Sequence, residues 1–271
     1  MRQARPSGRG SAERWGQLFG AHARDWAETW EGPTGWGSPV YRHVLDRTMI
    51  GPGTTVLDCG CGAGRFTRMA ADRGGRVAGI DAAEQLIAIA TERTPGGDFR
   101  TGDLEALPWP EDSFDVVTGF SSFQFADDKI RALAEAARVS RHLVAVVIPT
   151  RVPESGIAMV FSPLFPLFPA DALATMKDSG MFALSQPGKL DALLSATGLT
   201  VQDDDEIESP VIFHDKKDAV RAFIAAGPMQ LAIMESGERV IAEAVQTALT
   251  PFTEPGGRVT LPAWYRAVLT T

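Results

Sequence analysis

A chain of 271 residues, 44% hydrophobic and 22% charged, is long enough for one large α/β domain with additions. A net charge of −8 with no clustered run of Lys and Arg argues against nucleic acid as a substrate, because its binders need a basic footprint. No apolar run reaches the roughly 20 residues of a membrane-spanning helix, and Cys59 and Cys61, the only two cysteines, fit neither a C-x-x-C metal spacing nor a relaxed disulfide.

Residues 1–10 are rich in Arg and Gly without an apolar stretch, which reads as a disordered tail and not as a secretory signal. With no disulfide framework, a cytoplasmic location is expected. Ser11 opens a helical segment with Trp15, Leu18, Phe19, His22, Trp26 and Trp30 on one face, at steps of three and four. Gly32-Pro33 through Gly37 breaks it. A second helix is expected to start with Ser38 as cap and Pro39 at its first position, running to about Ile50. Residues 11–50 are thus read as an N-terminal helical cap.

The stretch Val56-Leu57-Asp58-Cys59-Gly60-Cys61-Gly62-Ala63-Gly64 carries the most information. A short apolar run ends in an acid, breaks into alternating glycines and passes at once into the helix-compatible Arg65–Ala70. Such a strand, loop and helix start lets a ligand approach the backbone, since glycine has no Cβ and takes positive φ freely. The dinucleotide pattern G-x-G-x-x-G fails in either register, with Arg65 or Thr67 where the last glycine belongs. Asp58 beside the loop repels a pyrophosphate and suits a cationic amino-acid head group. A second apolar run ends at Asp81, 23 residues after Asp58, and the loop Thr101-Gly102-Asp103-Leu104 follows the third.

These motifs resemble those of the class I S-adenosylmethionine-dependent methyltransferases, from Thr54 to Asp127 most strongly and more loosely beyond. The resemblance implies that Asp81 accepts hydrogen bonds from ribose hydroxyls and that Asp103, with Leu104, meets the adenine. It also implies that Phe120 and Phe125, like Trp30 and Trp36, are candidates to face a sulfonium through cation–π attraction. The cofactor set so implied is Asp58, Gly60, Gly62, Gly64, Asp81, Ala82, Asp103, Leu104, Phe120 and Phe125. No metal is expected, since no acid pair with an Asn marks the metal-dependent catechol type. Phe120–Phe125 lacks the Asn/Asp-Pro-Pro-aromatic signature of members that methylate base amines or glutamine amides. Among the histidines, His22 and then His214 are the candidate bases, ahead of His43 and His142.

Strands are expected near residues 54–58, 76–80, 97–101, 114–119 and 142–148, alternating with helices in a core over 51–150. The proline-dense Phe161–Pro169 segment excludes helix interior and central strand, so 151–184 reads as a lid or pocket wall. A helix capped at Ser185 follows to Thr197. Asp203-Asp204-Asp205 reads as a solvated turn inside a strand region over Thr200–Phe213, and a last strand covers Arg258–Leu269. Residues 185–271 thus complete the core sheet, with helices between Lys217 and Thr250. The expected fold is α/β, a Rossmann-like doubly wound seven-stranded sheet, mostly parallel with an antiparallel edge strand, plus the cap and lid. The implied function is methyl transfer to a small, partly apolar molecule such as a secondary metabolite. Two alternatives stay open: a non-methylating reaction such as cyclisation on the same cofactor, and a non-catalytic binding partner. A nicotinamide oxidoreductase is disfavoured by the glycine register.

Overall fold

The computed structural model describes residues 10–271; of the tail expected over 1–10, all but Gly10 lies outside the described residues. Helices α1 (Ser11–Gly20), α2 (Ala23–Thr29) and α3 (Ser38–Arg47) precede the sheet. The one aromatic helix expected from Ser11 is therefore two, broken where His22 takes φ −130° ahead of α2. Gly37, in the left-handed region at φ 84°, holds the capping position expected of Ser38.

The alternating core follows: β1 (Thr55–Cys59), α4 (Arg65–Asp72), β2 (Arg76–Asp81), α5 (Glu84–Arg93), β3 (Asp98–Thr101), β4 (Phe114–Phe120), α6 (Lys129–Val139) and β5 (Ser140–Thr150). The five strands are parallel in the order β3-β2-β1-β4-β5. Val56 and Leu57 in β1 and Val144 to Ile148 in β5 are buried on both faces, as parallel strands covered by helices require. Leu133 and Ala136 of α6 pack with Val117 and Val146 on one side of the sheet, while Phe66 and Ala70 of α4 pack with Val56 and Val116 on the other. Because β2 and β4 flank β1, the winding reverses between β1 and β4. In open α/β sheets that reversal opens a crevice beyond the carboxyl ends of the strands.

The rest of the chain comprises α7 (Gly156–Phe161), α8 (Ala170–Asp178), α9 (Lys189–Ala196), β6 (Val201–Glu208), β7 (Val211–Phe213), α10 (Lys216–Ala225), α11 (Gly227–Ser236), α12 (Glu238–Ala248), β8 (Val259–Leu261) and β9 (Trp264–Thr270). The sheet reaches seven strands as β3-β2-β1-β4-β5-β9-β6, so the expected doubly wound fold is the observed one. Its single antiparallel strand is β9, which pairs with β5 and β6 and therefore lies one position in from the edge. Burial explains the order: Ala267, Val268 and Leu269 of β9 are all buried and need a neighbour on each side. The acidic β6 tolerates the edge, where charge discourages pairing with other chains.

Asp203-Asp204-Asp205 is thus strand and not turn. Its carboxylates are held by Arg47, Arg266 and His43 respectively. Each long strand expected near the C-terminus is cut in two, at Pro210 and Pro262, and the outer pieces β7 and β8 form a separate antiparallel pair. Proline cannot donate to a ladder, so strands stop there. The proline-dense segment does coil, as a 3₁₀ stretch over Ser162–Leu167. Short 3₁₀ turns tolerate proline where no intrahelical N–H is needed. The helix expected from Ser185 starts only at Lys189, after Gly188 in the left-handed region.

A second hydrophobic core joins α7 and the 3₁₀ stretch to α10–α12, through Phe161, Leu164, Phe223 and Met229. Trp30 enters this core, its indole N–H donating to the Ala222 carbonyl at 2.5 Å. The N-terminal cap is in this way fastened to the C-terminal helices, over the sheet's carboxyl edge. Among the described residues no helix is long and apolar enough to cross a membrane.

Candidate active site

A cleft of about 1290 Å³, counted out to its mouth, opens at the β1–β4 reversal. Its floor is the glycine loop. After β1 the chain turns sharply, with Gly60 and Cys61 both donating to the Ile80 carbonyl, at 2.7 and 3.0 Å. Gly60 (φ 74°) and Gly62 (φ 55°) take left-handed backbone. A Cβ on Gly60 would overlap the Ser122 side chain, and one on Gly62 would overlap Glu31 Oε1. Only glycine fits either place.

Three carboxylates stand at successive strand ends. Asp58 is 3% exposed and accepts a hydrogen bond from Thr118 Oγ1 at 2.8 Å. Burial pushes its carboxyl up to about 8, against the pull of Thr118 and with added repulsion from Glu31 and Asp81. Asp81 ends β2 and accepts from the Gly62 and Ala83 N–H groups, at 3.0 and 2.9 Å. Burial pushes it up to about 6 despite those bonds. Asp103 follows β3 and accepts from the Glu105 N–H at 2.9 Å.

Aromatic rings form the walls. Phe120, at the end of β4, packs on Tyr41 and Phe66 at centroid distances of 4.7 and 4.5 Å. Phe125 sits between Trp15 and Phe19, at 4.8 and 5.5 Å. Trp36 stands edge-on to both Tyr41 and Tyr265, each at 5.5 Å. Burial raises both phenols, so at neutral pH they keep their protons and can donate. Met181 and Phe182, in the segment before α9, and Ile157 of α7 complete the enclosure. The 151–184 stretch therefore supplies pocket wall.

Of the residues singled out in the sequence, Asp58, Gly60, Gly62, Asp81, Ala82, Asp103, Leu104, Phe120 and Phe125 all line this one cleft, as do Trp30 and Trp36. Gly64 does not; it lies behind the loop as the cap of α4, its Cα facing Ala90. The candidate bases are elsewhere. His22 sits at the α1–α2 break, 3.7 Å from Asp25, because the break removes it from the aromatic face. His214 is 88% exposed at the end of β7, against Asp215. His43 faces Asp205 at the sheet edge and His142 faces Asp115, so none of the four histidines lines the cleft.

Several lining residues carried no sequence signal. Glu31 is 5% exposed and reaches a loop more than 30 positions away, a pairing that only the tertiary fold creates. Ser121 and Ser122 follow β4, Ser121 at φ 50°, and their buried hydroxyls have no partner among the described residues. Tyr41 and Tyr265 had one hint: they are the chain's only two tyrosines, and both are buried in the cleft.

The family described as "Methyltransferase domain" matches residues 57–148. A malonyl-[acyl-carrier protein] O-methyltransferase of Serratia marcescens is 38% identical over 102 residues, 38% of this chain and 40% of that protein. Nocamycin O-methyltransferase of Saccharothrix syringae is 40% identical over 111 residues, again 38% of this chain and 40% of the relative. The chain thus spans about two-fifths of the length of these curated relatives. Among solved structures, the [4+2]-cyclase SpnF superposes with a TM-score of 0.63 at 18% identity, covering 98% of each chain. A TehB-like S-adenosylmethionine-dependent methyltransferase from Corynebacterium glutamicum superposes with a TM-score of 0.51 at 18% identity, covering 93% of this chain and 98% of its own. These two likenesses concern the fold alone. The matched segment runs from β1 to β5 and holds the glycine loop with all three strand-end acids, Asp58, Asp81 and Asp103, and over that segment this chain is similar to the S-adenosylmethionine-dependent methyltransferases.

Proposed function

We propose that the cleft binds S-adenosylmethionine and that the protein transfers its methyl group to a small, partly apolar molecule. The observation that carries this reading is the convergence of Asp58, Asp81 and Asp103 on one aromatic-walled cleft. Two of these acids, Asp58 and Asp81, are raised by burial and then by repulsion from neighbouring carboxylates, Glu31 in both cases, a strain that a cationic ligand relieves. The donor set fits the cofactor's parts. The methionine portion lies against the backbone of Gly60 and Gly62 beside Asp58, Asp81 takes the ribose hydroxyls, and Asp103 with Leu104 takes the adenine. The unpartnered hydroxyls of Ser121 and Ser122 supply further polar contacts.

S-adenosylmethionine supplies a methyl already activated on a sulfonium, so the protein's tasks are alignment and exclusion of water. Phe120 and Phe125 offer ring faces to the positive charge. The cap and the Met181-Phe182 segment close over an apolar acceptor. With no histidine lining the cleft, the acceptor is best matched by a group that is nucleophilic without a protein base. Relatives named O-methyltransferases favour oxygen, and a carboxylate or an acidic enol meets both conditions.

Incubation with methyl-labelled S-adenosylmethionine and a panel of small apolar acids and phenols tests this. The expected result is a labelled product with one S-adenosylhomocysteine formed per methyl transferred. Turnover of an acceptor with no S-adenosylhomocysteine would instead establish the non-methylating alternative.

A further inference from the structure

Glu31 is the least ordinary residue of the cleft. It follows α2 in the N-terminal cap, yet its carboxylate reaches across to the glycine loop. Oε1 accepts from the Ala63 N–H and from the Trp26 indole, both at 2.7 Å. Oε2 accepts from the Arg65 N–H at 3.1 Å and from the Arg93 guanidinium at 3.2 Å. Arg93 is itself anchored on the Ala27 and Ala63 carbonyls.

Ala63 and Arg65 bracket the start of α4. The backbone N–H groups of a helix start lack intrahelical partners and carry the positive end of the helix dipole. In nucleotide-binding α/β folds that end of the glycine loop receives a phosphate. Here a side chain of the same polypeptide already fills it, with two backbone donors, an indole and a guanidinium, and almost no solvent. The close approach of Oε1 to Gly62 shows how tightly the carboxylate is seated.

We propose that Glu31 is a specificity-determining residue, an internal anion that occupies the α4 end of the glycine loop and shuts phosphate-bearing nucleotides out of the cleft. Its carboxylate stands close enough to Asp58 and Asp81 to raise both, so the same residue that repels a pyrophosphate favours a cation. This second half rests on the S-adenosylmethionine reading; the exclusion of phosphate does not.

Thermal unfolding with inorganic pyrophosphate, against sodium chloride at matched ionic strength, tests the exclusion. The wild-type protein should show no shift with 10 mM pyrophosphate. Glu31→Ala, which frees the helix start and Arg93, should gain about 3 °C, as expected for a protein of this size when ligand exceeds its Kd roughly tenfold. Glu31→Gln keeps the shape without the charge and should gain a smaller shift; it serves if the alanine variant does not fold. Stabilisation of the wild-type protein by pyrophosphate overturns the proposal whatever the variants do. So does a folded variant that pyrophosphate leaves unmoved. Failure of the cofactor reading is seen separately, as wild-type protein that does not bind S-adenosylmethionine.

Discussion

Affinity for S-adenosylmethionine should rise about tenfold to a hundredfold between pH 6 and pH 8, with close to one proton released on binding. Without a ligand's charge beside them, Asp58 is raised to about 8 and Asp81 to about 6, above the usual carboxylate range. A cation bound beside them favours their charged forms, so binding lowers both values and expels the protons they held. Affinity therefore climbs with pH and levels off once the empty-state value of Asp58 is passed. Stability of the empty protein runs the other way. The folded form keeps protons on Asp58 that the unfolded chain has already given up above pH 4, so stability falls as pH rises towards 8 and is then constant. Calorimetry in two buffers of different ionisation heat reads the proton release. S-adenosylhomocysteine carries the same amino group without the sulfonium charge and should show a shallower slope. A flat profile for both ligands would remove Asp58 from the ligand's surroundings.

Asp81→Ala should weaken S-adenosylmethionine binding by about 1–3 kcal/mol, roughly 5- to 150-fold, the range for losing hydrogen bonds to a charged acceptor. The side chain has two jobs: it anchors the loop through the Gly62 and Ala83 N–H groups, and it is the acid proposed to meet the ribose. Asp81→Asn separates them in part. The two N–H groups bond to different carboxylate oxygens, so asparagine keeps an acceptor for one of them and loses the charge. Both its affinity and its melting temperature should fall between those of wild type and alanine. If calorimetry gives the alanine variant wild-type affinity, Asp81 has no part in the site.

Much of this molecule was legible in the order of its residues because the information was local. Val56-Leu57-Asp58 followed by alternating glycines specifies strand, turn and helix start by sterics alone. The same grammar repeats at Asp81 and at Asp103, and these acids meet in one cleft as expected. What was not legible depends on distant partners. β9 is apolar enough to be a strand in the sequence, but its insertion between β5 and β6 depends on which faces need cover. His22 sits at the helical spacing of an aromatic face, and only the break at its own backbone moves it away. Glu31 reads as one more acid before a Gly-Pro turn, yet its donors come from Ala63, Arg65 and Arg93.

The central claim is that this acid-lined cleft is built for a sulfonium cofactor, and isothermal titration of the purified protein tests it most directly. Micromolar binding of S-adenosylmethionine and S-adenosylhomocysteine, with no heat from NAD, is the predicted result. Absence of binding by both, or binding of NAD in their place, would contradict it.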